Sequence, residues 1–197
     1  MKNDIAFFNV DTQQPSEDMD RLVFRPRVTP MVSQLQAMLD FADANDVLTV
    51  CTACVNAGPV EKVLPEGALF ISAAADDVRW FGHLDGFRQI WIQKLACASR
   101  DLNIENRVFD LFYTNPHTGY VVEELLIPHY VVFGDSAGYC TRTTAEGLLR
   151  LGYQVTLISD AIGKGINTEQ EKEVILQELC DEGAKCCTTE EFLARGI

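Results

Sequence analysis

The sequence predicts a three-layer α/β/α sandwich on a mostly parallel central sheet. Short, continuous apolar runs recur along the chain, at Ile5–Val10 (IAFFNV) and residues 47–50, 130–133 and 155–158. Such runs fit strands buried on both faces, as in a parallel sheet. Segments with helical periodicity and recognisable helix boundaries lie between them, and this alternation is the mark of an α/β fold. Ligands of such sheets bind outside the carboxyl ends of the strands.

The elements follow in order. Asp11 closes the first run, and the polar stretch 12–20 reads as a loop. Thr29 as N-cap and Pro30 in the first turn open a helix whose apolar face is Met31, Leu35, Met38, Leu39 and Ala42. Asn45 and Asp46 end it, and residues 47–50 begin the next strand, a β-α-β unit of the usual right-handed parallel kind. Residues 69–71 and 90–92 read as strands, and 121–126 as helix. In the second half, 130–133 is a strand stopped by Gly134, and 140–151 a helix closed by Gly152. The run 155–158 is a strand, 169–179 an acidic amphipathic helix and 184–187 a short strand. A final helix is opened by the Thr188-x-x-Glu191 capping box. No repeat or long linker interrupts the 197 residues, which read as one domain, residues 1–197.

Composition narrows the function classes. Sixteen Lys and Arg stand against 29 Asp and Glu, a formal charge of −13. That balance argues against a nucleic-acid groove or an anionic membrane surface as the main partner. No run reaches the roughly 18 apolar residues of a membrane helix, and the N-terminus lacks the features of a signal peptide. Seven Cys, an odd number scattered through apolar segments, suit a reducing compartment, so the expected location is cytoplasmic.

Three positions beside strand ends attract chemistry: Asp11, Lys94 after residues 90–93, and the loop 134–140 after residues 130–133. Cys140 begins a helix, where unpaired N–H groups and the helix dipole favour a thiolate, and a nearby Lys would favour it further. A carboxylate at a buried strand end can take the thiol proton and return it to a leaving group. A free Cys is also commonly a small buried hydrophobe, and position alone does not decide between the two.

The segment Gly134-Asp135-Ser136-Ala137-Gly138-Tyr139-Cys140, with Thr144-Ala145 and Gly152-Tyr153 after it, resembles the nucleophile segment of the isochorismatase-like cysteine hydrolases. That family includes nicotinamidases, N-carbamoylsarcosine amidases and isochorismatases. Asp11 in Val10-Asp11-Thr12-Gln13 is similar to its catalytic Asp, and Lys94 in Ile92-Gln93-Lys94 to its catalytic Lys. Ser159-Asp160-Ala161 also agrees, so the resemblance spans essentially the whole chain. It implies a cysteine-dependent hydrolase of a small amide or carbamoyl C–N bond, with Cys140 attacking, Asp11 moving protons and Lys94 in support. It further implies a cis peptide at Asp135–Ser136 and an oxyanion hole from the N–H groups of Ser136 and Cys140. Asp135 departs from the aliphatic residue expected there. No cofactor and no metal are expected, and a homo-oligomer is, with residues 120–126 as one candidate interface. The alternatives are a vinyl-ether hydrolase of the isochorismatase type and a non-catalytic or redox-responsive protein on the same scaffold.

Other signals weigh less. Gly134-x-Ser136-x-Gly138 fits the serine-hydrolase elbow, but His83, His117 and His129 all precede the serine, against that fold's chain order. Cys51-x-x-Cys54 suggests a redox pair or half a zinc site, yet no second pair completes it, although Cys186 and Cys187 are adjacent. The Asp-x-His motif by which nicotinamidases hold a metal is missing from residues 52–58, and His83 beside Asp85 reads as a loop residue. Trp80, Phe81 and Trp91 are candidates for a pocket wall, though aromatics near a sheet are more often core. The loops 12–20 and 56–64 are expected to shape the pocket.

Overall fold

A computed structural model of the chain describes residues 4–12, 31–55, 66–73, 84–95 and 109–196. Seven strands form one sheet: β1 (Ile5–Val10), β2 (Thr49–Val55), β3 (Leu69–Ile71), β4 (Gln89–Leu95), β5 (His129–Gly134), β6 (Gln154–Ile162) and β7 (Lys185–Cys187). Their order is β3-β4-β2-β1-β5-β6-β7, and every pairing is parallel. The helices are α1 (Val32–Asn45), α2 (Leu111–Thr114), α3 (Thr118–Leu125), α4 (Cys140–Arg150), α5 (Glu169–Asp181) and α6 (Thr189–Arg195).

Aromatic side chains glue the layers together, and the alternation of β1 sorts them. Phe7 meets Phe41 of α1 and Phe192 of α6 on one face, with Phe133 beside it. Phe8 points the other way, to Tyr130, which packs on Tyr153 and donates its hydroxyl proton to the carbonyl of Val122 in α3. Helices α1 and α6 thus cover one face, and α4 packs on the other with α2 and α5 beside it. These are the three layers the periodicities predict.

Several boundaries carry their cause in the residues beside them. Thr168 and Thr188 each form a complete capping box, with Glu171 and Glu191. Gly152, at φ 87°, closes α4, with its N–H on Leu149 and that of Tyr153 on Leu148. Asp160 lies within β6, where Oδ1 accepts from the N–H and the hydroxyl of Thr189 and so ties α6 to the sheet. Helix α1 begins at Val32 with Met31 as N-cap, while the expected cap at Thr29 and Pro30 lies outside the described residues. Within residues 120–126, Val121, Val122 and Leu125 are core, and Leu126, 66% exposed, faces out. Among the described residues, no helix is long and apolar enough to cross a membrane.

Candidate active site

The three residues singled out at strand ends converge at the carboxyl edge of the sheet. Lys94 Nζ donates to Asp11 Oδ2 at 2.8 Å and also to the sulfur of Cys140. Asp11 also lies close enough to act electrostatically on the Cys140 thiol. Asp11 is 8% exposed and Lys94 3%, while Cys140 keeps part of its surface open. Each side chain reaches this point for a local reason.

Asp11 follows the last residue of β1 and has a φ of 49°, in the left-handed region a non-glycine residue seldom occupies. Strict alternation after Phe7 and Asn9 would send its side chain to the α1/α6 face. The left-handed turn breaks that alternation and brings the carboxylate beside Thr52 and Lys94. Thr52 accepts from the Asp11 N–H at 2.8 Å and donates to Oδ1 at 2.5 Å.

Lys94 comes from β4, on the same face as Ile90 and Ile92. Its strand end is stapled by Asn115, wholly buried, whose Nδ2 donates to the carbonyls of Gln93 and Ile71 while Oδ1 accepts from the N–H of His117. Cys140 is the first residue of α4, after the loop that leaves β5. Gly134 starts that loop at φ 128°, where an added Cβ would lie 2.0 Å from the Val10 carbonyl. Only glycine lets β5 approach β1 this closely. The Asp135–Ser136 peptide is cis, as expected. The carbonyl of Ser136 accepts from the N–H groups of Tyr139 and Thr141, and Ala137 N–H is bonded to Gly163. The N–H groups of Ser136 and Cys140 have no acceptor among the described residues.

The electrostatics correct one expectation. Burial, the largest influence on Lys94, disfavours its charge, but Asp11 and then Cys140 outweigh it and hold the ammonium above its usual range. Burial and the Asp11 carboxylate push the Cys140 thiol up from its ordinary 9.0, and Lys94 opposes them without cancelling them. The net push on the thiol is therefore upward, opposite to the direction that its helix-start position suggests.

Sequence reasoning missed the aromatic side chains beside this centre. Phe109 lies with its ring centroid 5.8 Å from Lys94 Nζ and packs at 4.7 Å on Tyr139. Its carbonyl accepts from the hydroxyl of Thr143 in α4. Trp91 sits instead on the opposite face of β4, with its indole N–H on Gln89. Trp80, Phe81, His83 and most of the loops 12–20 and 56–64 lie outside the described residues. Cys51 and Cys54 occupy one extended strand three residues apart, which separates their Cα atoms by about 10 Å, beyond disulfide reach. Burial pushes Cys51 up to about 12. His117 and His129 serve α3 and a bond to Thr156. Among the described residues, no group of three or more His, Cys, Asp or Glu is placed to hold a metal.

An isochorismatase-domain family model matches residues 8–191. Curated protein sequences give no match. Solved structures share the fold at low identity. A cysteine hydrolase from Pseudomonas syringae superposes with a TM-score of 0.67 at 15% identity, covering 99% of this chain and 93% of that one. An N-carbamoylsarcosine amidase from Thermoplasma acidophilum gives 0.60 at 15%, covering 94% and 96%. A pyrazinamidase/nicotinamidase from Streptococcus mutans gives 0.62 at 18%, covering 93% and 99%.

Proposed function

Since the chain belongs to the isochorismatase family, we propose that it is a cysteine-dependent hydrolase of a small amide or carbamoyl C–N bond. The observation that carries this reading is the contact of Lys94 with both Asp11 and Cys140.

In the proposed cycle, Asp11 takes the thiol proton of Cys140 as its sulfur forms a bond to the substrate carbonyl carbon. The carbonyl π electrons move to oxygen, and the resulting oxyanion is received by the N–H groups of Ser136 and Cys140. The C–N bond then breaks, with the proton passing from Asp11 to the nitrogen, and ammonia or an amine leaves. Water attacks the thioester and gives a proton to Asp11. The C–S bond breaks, the acid departs, and the proton returns to the sulfur. Lys94 keeps its charge throughout and pairs with whichever partner is anionic. Phe109 and Tyr139 would form an apolar wall for the substrate beside the reacting sulfur.

On this reading the partners are the small substrate and further copies of the chain. The test is ammonia release from a panel of small amides, carbamoyl compounds and nicotinamide, run with Cys140→Ala alongside. Ammonia that depends on Cys140 supports the amidase reading. Pyruvate from a vinyl-ether substrate, with no ammonia from the panel, replaces it with the isochorismatase-type reaction.

A further inference from the structure

We propose that Thr52 is the positioning residue of this centre: its hydroxyl, and not its bulk, fixes the Asp11 carboxylate for proton transfer with Cys140. The proposal rests on the reading of Asp11 as proton carrier. Thr52 lies within β2, 1% exposed, and is separated from Asp11 by 41 residues of chain.

A hydroxyl has one proton and two lone pairs. Here a lone pair of Thr52 is engaged by the Asp11 N–H at 2.8 Å, and the proton is directed to Oδ1 at 2.5 Å. One side chain thus holds both the backbone and the carboxylate of the same residue. The second oxygen, Oδ2, is held by Lys94. With a neutral donor on one oxygen and a cation on the other, the carboxylate plane is set relative to the sulfur. The grip matters because Asp11 has left the strand conformation. Its φ of 49° places it past the last residue of β1, so the tie to Thr52 replaces ladder bonds that a further strand residue would make. Proton transfer is sensitive to such placement, and a misplacement of about 1 Å costs roughly 100-fold.

Two substitutions in the full-length chain separate hydroxyl from bulk. Thr52→Val keeps the shape and removes the hydroxyl, whereas Thr52→Ser keeps the hydroxyl and removes a buried methyl. The probe is iodoacetamide, with alkylation of Cys140 followed by peptide mass spectrometry at pH 7.5. The exposed Cys186 serves as reference in the same sample, and thermal melts are recorded in parallel. The expected result is Thr52→Ser within about threefold of the wild-type rate and Thr52→Val slower by about 10- to 100-fold at Cys140, with Cys186 unchanged. A packing role predicts the opposite order. If Thr52→Val does not fold, Thr52→Ala is the hydroxyl-free partner for the comparison. A hydroxyl-free variant that reacts at the wild-type rate overturns the proposal and leaves the role of Cys140 standing. A Cys140 alkylation rate unchanged by Asp11→Asn overturns both.

Discussion

Replacing Lys94 by Met, a side chain of similar length without charge, leaves the Asp11 carboxylate buried beside Cys140 with no cation. The ion pair spans 2.8 Å between side chains only 4% and 8% exposed, so water cannot take the place of the lost partner. Removing one member of such a pair costs about 3–5 kcal/mol. For a chain of this size each kcal/mol moves the melting temperature by about 2–4 °C, so Lys94→Met should melt roughly 6–20 °C lower. Asp11→Asn should cost a similar amount, since it leaves the ammonium unpaired. The double variant has neither charge, and its destabilisation should be smaller than the sum of the two by at least about 2 kcal/mol. Urea unfolding of the four proteins at one pH gives the coupling directly. Additive effects, or a cost for Lys94→Met under about 1 kcal/mol as for an exposed pair, would refute the description of a desolvated, mutually dependent pair.

Three further predictions follow from particular contacts. The Cys140 thiol is pushed up from 9.0, so the proton stays on sulfur until the pH exceeds that value. The thiolate absorbance difference between wild type and Cys140→Ala should show no step between pH 6 and 9, and a step near neutrality would contradict it. Gly134→Ala would place a methyl 2.0 Å from the Val10 carbonyl at a φ of 128°. It should destabilise the fold by roughly 3 kcal/mol or more in denaturant titration. Asp160→Ala removes two bonds to Thr189 at the start of α6 and should cost about 1–2 kcal/mol. Iodoacetamide should still alkylate Cys140 at the wild-type rate in that variant, because Asp160 serves the helix and not the site.

What the sequence revealed of the site was local: a polar residue after an apolar run, a thiol at a helix start, a glycine loop between them. Those signals pointed to Asp11, Lys94 and Cys140, and the family resemblance assigned their roles. Thr52 and Phe109 carried no such signal. Thr52 reads as one more β-branched strand residue until the order β3-β4-β2-β1 sets β2 between the strands of Asp11 and Lys94. Phe109 reaches Lys94 from just before α2, a four-residue helix too short for a periodicity to reveal. The upward push on the Cys140 thiol was also hidden, because burial depends on the whole packed layer of α4 against the sheet. Likewise the Cys51-x-x-Cys54 spacing suggests a redox pair on a helix or turn, and its placement on one extended strand removes the pairing.

The central claim is that the site cleaves a C–N bond through Cys140. Ammonia release from the panel of small amides, carbamoyl compounds and nicotinamide, wild type against Cys140→Ala, addresses it most directly. The account predicts ammonia from at least one member and its loss in the variant by at least about 1000-fold. Ammonia released equally by both proteins, or by neither while Cys140 resists alkylation, would contradict it.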